Sequence, residues 1–256
     1  MPWVLDLDGV VWLDDQPLPG AAAAIERLRA AGERVVLVTN NSAARVGDQE
    51  AKLARHGIPA VGDVVTSAMV AVALIEPGET VLLCAGPGVE EAVLARGAVP
   101  VRDGDADAVI VGFHRDFDYD ELDRASRAVR RGARLLATND DATYPTPSGP
   151  VPGGGAILAA VATAAGVTPI VAGKPYAPMA DHVRALVGPR GVAVGDRPDT
   201  DGRFARALGY DWVLVLSGVT KADDLPVDPT PDAVFADLAA AVDAALAAAP
   251  SATMGG

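Results

Sequence analysis

The chain opens with a short apolar run that leads directly into two carboxylates, Val4-Leu5-Asp6-Leu7-Asp8-Gly9-Val10. In open α/β sheets, ligands bind at the carboxyl ends of the strands, which is where this pattern places Asp6 and Asp8. Crowded carboxylates repel each other unless a cation neutralises them or one of them holds a proton. The run therefore indicates a metal-dependent site, although a strand that simply ends in an exposed Asp-Gly turn has the same pattern.

Polar groups that suit the same site follow three later apolar runs. These groups are Thr39-Asn40-Asn41-Ser42 after 34–38, Gly173-Lys174-Pro175 after 169–172, and Gly195-Asp196-Arg197 with Asp199-Thr200-Asp201 after 192–194. Parallel strands place their carboxyl ends at one edge of a sheet, so we expect the four strand ends to contribute to one site.

The composition is that of a globular chain with room for a large core. Half of the 256 residues are apolar, and the formal net charge at pH 7 is −13. A negative surface does not attract nucleic acid or anionic membranes, so neither is an expected partner, and an anionic substrate would need positive charge supplied locally. The single cysteine, Cys84, favours a reducing compartment. With no signal peptide or membrane-spanning run in the sequence, we expect a cytoplasmic protein.

Strand-like and helix-like patterns alternate along the chain, which is typical of a parallel sheet with crossover helices. The segment 10–20 is rich in turn-forming residues and is interpreted as a turn or small hairpin. A helix is predicted at 21–31. We expect Ser42 to cap the next helix, which would run to about His56, so that its amino end forms an anion site beside Thr39.

The pattern restarts as a separate α/β unit in the middle of the chain. Strands are predicted at 81–84, 108–111 and 134–137, and helices at 120–131 and 155–165. We therefore expect an inserted domain at 80–172 and a core domain made of 1–79 and 173–256. A strand at 212–216 and an Ala-rich helix after Pro231 would complete the core. Residues 251–256 are expected to form a frayed tail.

The chemistry of these groups suits phosphoryl transfer. A transferred phosphoryl group carries negative charge on several oxygens, so its catalysis is largely positioning and charge neutralisation. A divalent cation held by Asp6 and Asp196 would supply much of that neutralisation, and hard oxygen ligands suit Mg²⁺. Thr39 and Lys174 would hold the phosphate.

The motifs resemble those of the haloacid dehalogenase superfamily. They are DLDGV, TNNS, GKP and GDRPDTD, in that order, with ATNDDATYP and LVLSGVT extending the similarity over nearly the whole chain. The match is to the subfamily IIA phosphatases with a large C2-type α/β cap between the second and third motifs, which includes para-nitrophenyl, phosphoglycolate and pyridoxal phosphatases and NagD-like enzymes. The resemblance implies a Rossmann-like α/β core, with a parallel sheet and helices on both faces, and an inserted α/β cap domain.

The resemblance also implies a role for each motif residue. Asp6 would be the nucleophile that forms an aspartyl-phosphate, and Asp8 would protonate the leaving oxygen and then activate water. Thr39 and neighbouring backbone N–H groups would bind the phosphate, and Lys174 would bridge it to Asp6. The metal ligands implied are Asp6, the main-chain carbonyl of Asp8, and Asp196, with Asp201 orienting or completing the set.

Substrate recognition is expected to involve the cap and the second motif. Asn40 and Asn41 lie near the implied phosphate site. The loop 138–145 would point toward the leaving group, with Tyr144 as the main candidate contact, although Tyr144 packing beneath the cap is the alternative. A small phosphorylated metabolite is the expected partner, and a homodimer formed through the cap is consistent with the resemblance.

Two other functions remain open at this point. A receiver-type signalling domain also groups acidic residues, a hydroxyl and a lysine around magnesium, but its phosphate acceptor lies on a later strand than the acidic pair. A catalytically silent binding protein of the same fold is the second alternative. A dehalogenase has no alkoxide to protonate, so Asp8 favours phosphate chemistry.

Several further features are given no catalytic role. The arginines at 124, 127, 130, 131 and 134 are interpreted as one end of a solvated helix whose acidic residues lie at the other end. Gly86-Pro87-Gly88 is interpreted as a turn, since the third glycine of a dinucleotide loop is missing. Arg197 is expected to pair with an acidic neighbour.

Overall fold

The elements of the fold alternate between strand and helix along most of the chain. The computed structural model describes residues 1–13, 16–144 and 149–248. The strands are Trp3–Leu5 (β1), Trp12–Leu13 (β2), Gln16–Pro17 (β3), Val35–Thr39 (β4), Val64–Thr66 (β5), Thr80–Cys84 (β6), Val99–Val101 (β7), Ala108–Val111 (β8), Arg134–Ala137 (β9), Thr143–Tyr144 (β10), Val151–Pro152 (β11), Ile170–Val171 (β12), Val192–Gly195 (β13), Asp211–Val215 (β14) and Ala233–Phe235 (β15). The α-helices are Ala21–Ala30 (α1), Val46–Arg55 (α2), Ser67–Val72 (α3), Pro87–Ala95 (α4), Tyr119–Arg130 (α5), Gly154–Ala165 (α6), Ala177–Val187 (α7), Arg203–Leu208 (α8) and Leu238–Ala248 (α9). A π-helical turn spans Pro198–Gly202, and a 3-10 turn spans Ala222–Asp224.

The first sheet, here called the core sheet, has β1 near its centre. Its strand order is β15-β14-β13-β1-β4-β5, and every neighbouring pair is parallel. Leu5, the last residue of β1, pairs with Val194 on one side and Leu37 on the other. Asp6 follows directly, so the sheet places it between two strand ends.

Helices cover both faces of the core sheet. Along β1, Val4 packs into the same buried cluster as residues of α3, α7 and α8, while Trp3 and Leu5 pack into the cluster that includes α1 and α9. Successive strand side chains point to opposite faces, so a strand buried on both sides needs an unbroken apolar run. This arrangement confirms the expected α/β fold with a parallel sheet covered on both faces.

A second unit is inserted between α3 and α7. Its five-stranded parallel sheet has the order β12-β9-β8-β6-β7. One face of this sheet packs on α5 and α6. On the other face, Val81 and Leu83 of β6 join the buried cluster that also contains Val4 of the core sheet. The inserted unit and the core therefore share one continuous apolar cluster.

Most of the predicted elements are present with small shifts at their ends. The strands predicted at 81–84, 108–111, 134–137 and 212–216 and the helices predicted at 21–31, 120–131 and 155–165 each match an observed element to within one residue at either end. The predicted hairpin is formed by β2 and β3, which pair antiparallel. Its tip, residues 14–15, and the predicted tail at 251–256 lie outside the described residues.

The prediction that Ser42 caps a helix is wrong. The helix α2 begins four positions later at Val46, and Arg45 is its N-cap. The Ser42 hydroxyl instead lies 2.9 Å from Thr138 Oγ1 in the inserted unit. The N–H of Val46 donates to Glu91 Oε2 at 2.9 Å, so a carboxylate of the protein itself already occupies this helix end.

The interpretation of Gly86-Pro87-Gly88 as a turn is also wrong. Gly86 is the N-cap of α4 and Pro87 is its first residue, a position where the missing N–H of proline costs nothing. A Cβ on Gly88 would lie 2.2 Å from the carbonyl oxygen of Ala44. The glycine allows α4 to pack closely against the loop that follows β4.

Within the described residues, no helix combines the length and the apolar character that crossing a bilayer requires.

Leu37→Ala tests the packing of the core sheet. Leu37 is fully buried, so its truncation leaves a cavity. We expect the free energy of unfolding to fall by about 2 to 5 kcal/mol. In the control Val61→Ala, at a side chain 87% exposed, the change should stay within about 0.5 kcal/mol. Urea unfolding followed by circular dichroism measures both variants, and equal losses would contradict this account of the core.

Candidate active site

Three adjacent strands of the core sheet bring Asp6, Thr39 and Asp196 together. Asp6 follows β1, Thr39 ends β4, and Asp196 follows β13. From β1 the chain continues to β4 on one side, while β13 lies on the other, so the strand order reverses at β1. Crevices at such reversal points are the usual ligand sites of open α/β sheets.

Lys174 links this cluster to the loop that leaves the inserted unit. Its Nζ donates to Asp6 Oδ1 at 2.7 Å and to Asp201 Oδ1 at 2.6 Å, and the lysine side chain is almost fully buried. Burial acts to lower the pKa of Lys174, but the carboxylates of Asp201 and Asp6 outweigh it and raise the pKa above its ordinary value. The ammonium therefore stays charged.

The pKa of Asp6 is also raised, but for a carboxyl group this favours the neutral form. Burial raises the pKa of this carboxyl well above its ordinary value. The charge of Lys174 lowers the pKa again, while the neighbouring carboxylates of Asp201, Asp196 and Asp8 add to the increase. Asp6 thus depends on positive charge nearby to remain ionised.

Asp196 has the environment of an incomplete cation site. Its Oδ2 accepts the N–H of Val219 at 2.5 Å, but the buried Oδ1 has no hydrogen-bond partner among the described residues. Burial, followed by repulsion from Asp201, raises the pKa of Asp196 to about 7. Carboxylate oxygens of Asp6, Asp196 and Asp201 all lie within 4.8 Å of one another. This oxygen-rich set fits a divalent cation such as Mg²⁺.

The π-helical turn after β13 holds Asp201 in place. Asp201 Oδ2 accepts the N–H groups of Asp196 at 3.2 Å and Arg197 at 3.1 Å, while Oδ1 accepts from Lys174. Both carboxylate oxygens are therefore engaged within the protein. This arrangement favours an orienting role for Asp201 over direct contact with a substrate.

Glycines on two loops let the protein backbone approach Asp196. Gly9 has a φ of +82°, and a Cβ there would lie 2.3 Å from Asp196 Oδ2. At Gly218 a Cβ would lie 1.9 Å from the same atom. Ser217 and Thr220 secure this approach, because their hydroxyls donate to the carbonyl oxygens of Gly9 and Asp196, both at 2.6 Å. The residues predicted from the sequence to form the site do not include the 217–220 loop, although a Ser-Gly pair just after an apolar strand could have pointed to it.

Asp8 lies beside Asp6 on the wall of the cavity. Its Oδ1 accepts a hydrogen bond from Trp12 Nε1 at 3.0 Å. Trp12 is almost fully buried, so its indole fixes the carboxyl of Asp8 at the cavity edge.

The three residues after Val38 differ in how they are used. Thr39 Oγ1 accepts the N–H of Asn41 at 3.0 Å, and Asn41 Oδ1 accepts the N–H of Ala43 at 3.1 Å. Asn40 donates from Nδ2 to Asp141 and to the carbonyl of Lys174, and its Oδ1 accepts the Lys174 N–H. The amide of Asn40, predicted to bind substrate, is thus already hydrogen-bonded within the protein.

The polar residues surround a cavity of about 440 Å³. The core contributes the residues above, and the inserted unit contributes Phe113, Asn139, Asp141, Thr143 and Tyr144. Tyr144 lies on the cavity wall, where its ring stacks on Phe113 with centroids 5.1 Å apart and planes 14° apart. Pro145, the end of the predicted specificity loop, lies outside the described residues.

The arginines of α5 lie away from this cavity. Arg127 pairs with Asp123, while Arg131 and Arg134, which follow the helix, pair with Asp105 and Glu79. This supports a solvated helix face. Arg197 does line the cavity, with its Nε 3.7 Å from Asp199 Oδ1.

Comparison with known proteins identifies the family. Residues 3–98 match the model of haloacid dehalogenase-like hydrolases, and residues 171–241 match a second model, described as HAD-hydrolase-like. The chain is 34% identical to an acid sugar phosphatase of Staphylococcus saprophyticus, over 92% of this chain and 94% of that protein. The chain belongs to the haloacid dehalogenase-like hydrolases.

Two further proteins that resemble this chain agree with this family assignment. The chain is 38% identical to a D-glycerol 3-phosphate phosphatase of Mycobacterium tuberculosis over 86% of this chain, and the match covers 64% of that protein's length. A crystal structure of the glycerol phosphate phosphatase of Mycobacterium tuberculosis in complex with magnesium has a TM-score of 0.85 at 36% identity, covering 93% of this chain and 75% of that one. The chain is accordingly a phosphoric monoester hydrolase, as these relatives are.

The pKa of Asp196 predicts a pH-dependent stability. Without divalent metal, the folded chain keeps a proton on Asp196 up to a pH of about 7, whereas the unfolded chain releases it near the ordinary pKa of 3.8. The free energy of unfolding should therefore fall as the pH rises through this window, by roughly 1 kcal/mol per pH unit. Asp196→Asn removes the group that titrates, so the free energy of unfolding of the variant should increase relative to that of the wild type as the pH rises.

Urea unfolding in the presence of a chelator, at several pH values across this window, measures the difference. Adding Mg²⁺ should restore the stability of the wild type at the high end, because a bound cation favours the carboxylate. Parallel pH profiles for the two proteins would contradict the assignment to Asp196.

Proposed function

We propose that the chain hydrolyses a phosphate monoester of a small metabolite in a Mg²⁺-dependent reaction, with Asp6 as the transient acceptor of the phosphoryl group. The observation that carries the proposal is the position of Lys174 Nζ, 2.7 Å from Asp6 Oδ1 at the wall of a cavity that Asp8 and Thr39 also line. An ammonium and a hydroxyl can bind the oxygens of a phosphoryl dianion, while a carboxylate held by that ammonium can attack its phosphorus.

The reaction proceeds in two displacements at phosphorus. An Asp6 oxygen attacks, the bond to the ester oxygen breaks, and Asp8 gives its proton to that oxygen so that an alcohol leaves. Asp8 then takes a proton from water, whose oxygen attacks the phosphorus and releases the Asp6 carboxylate and inorganic phosphate. Asp8 ends as it began, protonated.

Lys174 and Thr39 would bind the phosphoryl oxygens. Lys174 supplies positive charge directly beside Asp6, and it orients Asp6 through the same ammonium. The hydroxyl of Thr39 would donate to a phosphoryl oxygen, with Asn41 beside it. The inserted unit supplies part of the cavity wall, and we assign it as a cap domain at 80–172.

Asp6, Asp196 and the main-chain carbonyl of Asp8 would hold Mg²⁺, with Asp201 orienting the set. The unpartnered Asp196 Oδ1 supports this choice. When bound, the cation neutralises the charge that builds up on the phosphoryl oxygens.

The cavity suits a leaving group of metabolite size. Its wall includes the stacked rings of Phe113 and Tyr144. The names of the relatives put glycerol phosphate and sugar phosphates first among the compounds to test, followed by phosphoglycolate, pyridoxal phosphate and nucleoside monophosphates. The reducing compartment favoured by Cys84 makes the cytoplasm the proposed location.

Asp6→Asn and Asp8→Asn test the two proposed roles. Each change keeps the shape of the side chain but removes the nucleophile or the proton carrier, so Mg²⁺-dependent release of phosphate should fall by at least about 100-fold in each variant. The matched control is Asp223→Asn, at an exposed aspartate outside the cavity, which should keep full activity. Phosphate release over a metabolite panel is the measurement, with circular dichroism confirming that each variant is folded.

Three outcomes would contradict the proposal. Equal turnover in the wild type and both variants would exclude the mechanism. A phosphoryl group that stays on Asp6 without release would instead indicate a phospho-accepting signalling domain, and no phosphorylation at all would indicate a silent binding protein.

A further inference from the structure

One loop of the inserted unit, residues 138–141, is bonded to the two core loops that carry Asn40 and Lys174. The Ser42 hydroxyl contacts Thr138, Asn139 Nδ2 donates to the carbonyl of Asn40 at 2.8 Å, Tyr176 donates to Asp140, and Asn40 Nδ2 donates to Asp141 Oδ2 at 3.0 Å. Each residue of the loop therefore has a partner outside the inserted unit. The contact made by Asp141 differs from the others because its partner, the side chain of Asn40, also forms hydrogen bonds to the main chain of Lys174.

Asn40 holds the main chain of Lys174 by both of its polar groups. Asn40 Oδ1 accepts the Lys174 N–H at 2.8 Å, and Nδ2 donates to the Lys174 carbonyl at 3.0 Å. A carboxylate and a carbonyl only accept hydrogen bonds and a peptide N–H only donates, so this set of partners permits one orientation of the amide. Asp141 takes the second Nδ2 hydrogen and thereby completes the set.

The same lysine presents its ammonium to Asp6, at the far end of its side chain. Asn40 and Asp141 therefore act on the backbone of Lys174, while Asp6 and Asp201 act on its Nζ. The space for this arrangement is tight, because a Cβ on the preceding Gly173 would lie 2.5 Å from Asn40 Oδ1. A shift of the amide would be transmitted to the lysine.

We propose that Asp141 is a positioning residue for catalysis, which fixes the amide of Asn40 and through it the main chain of Lys174. The inference rests on the proposed function, since it gives Lys174 a part in the reaction. It assigns to the inserted unit a role in the catalytic machinery beyond covering the cavity. The carboxylate acts only as a hydrogen-bond acceptor, so an amide at the same position should replace it.

The test compares three variants in steady-state hydrolysis of the best substrate found for the wild type. Asp141→Ala should lower kcat by roughly 10- to 100-fold, as expected for a displaced catalytic group, with little change in KM. Asp141→Asn keeps an oxygen that accepts from Asn40 and should restore kcat to within about threefold of the wild type. The matched control is Asp140→Ala, which removes the same charge from the same loop but a contact with Tyr176 instead, and it should leave kcat unchanged.

A loss of kcat in Asp141→Ala that Asp141→Asn restores would support the proposal. A wild-type kcat in Asp141→Ala would overturn it, and so would equal losses in Asp140→Ala and Asp141→Ala, which would indicate a general loosening of the loop. An increase in KM alone would make Asp141 a substrate contact instead.

If Asp141→Ala does not fold, Asp141→Ser, whose side chain is too short to reach Asn40, takes its place. Wild-type protein without phosphatase activity would refute the proposed function, whereas an active wild type with an equally active Asp141→Ala refutes only the positioning role.

Discussion

One buried ammonium group sets the arrangement of the whole site. Lys174 Nζ lies between the carboxylates of Asp6 and Asp201, and a third carboxylate, Asp196, lies within 4.8 Å of both. Removing charges from water is costly, and a buried ion that loses its partner destabilises a protein strongly. The positions of three elements relative to one another must therefore be fixed closely. These are β1, the loop that follows β12, and the π-helical turn after β13.

Backbone groups fix the positions of two of these carboxylates. Peptide N–H groups of residues 196 and 197 fix Asp201, and the N–H of Val219 fixes Asp196. Gly9 and Gly218 leave space that any side chain would fill. Several residues around the site are thus explained by the position of one carboxylate, since nothing in the regular packing of the sheets requires glycine there.

The sequence predicts the strands and the strand-end residues well for a physical reason. Strands buried on both faces appear as unbroken apolar runs such as Val81-Leu82-Leu83-Cys84, and parallel strands collect the polar residues that follow them. Apart from Gly86-Pro87-Gly88, where Pro87 begins a helix, the errors and omissions concern partners that are distant in the chain. Ser42 bonds Thr138, Glu91 occupies the amino end of α2, and Asp141 bonds Asn40. No local pattern encodes such pairs, so only the folded arrangement reveals them.

The place where the chain leaves the inserted unit has a consequence for protein engineering. Lys174 follows β12, an edge strand of the inserted sheet, after only Ala172 and Gly173. A chimera that exchanges the whole insertion for one from another enzyme would join its new exit strand almost directly to this lysine. Insertions of this kind are therefore not freely interchangeable modules, and the splice point has to be chosen upstream of β12 so that the native junction is inherited intact.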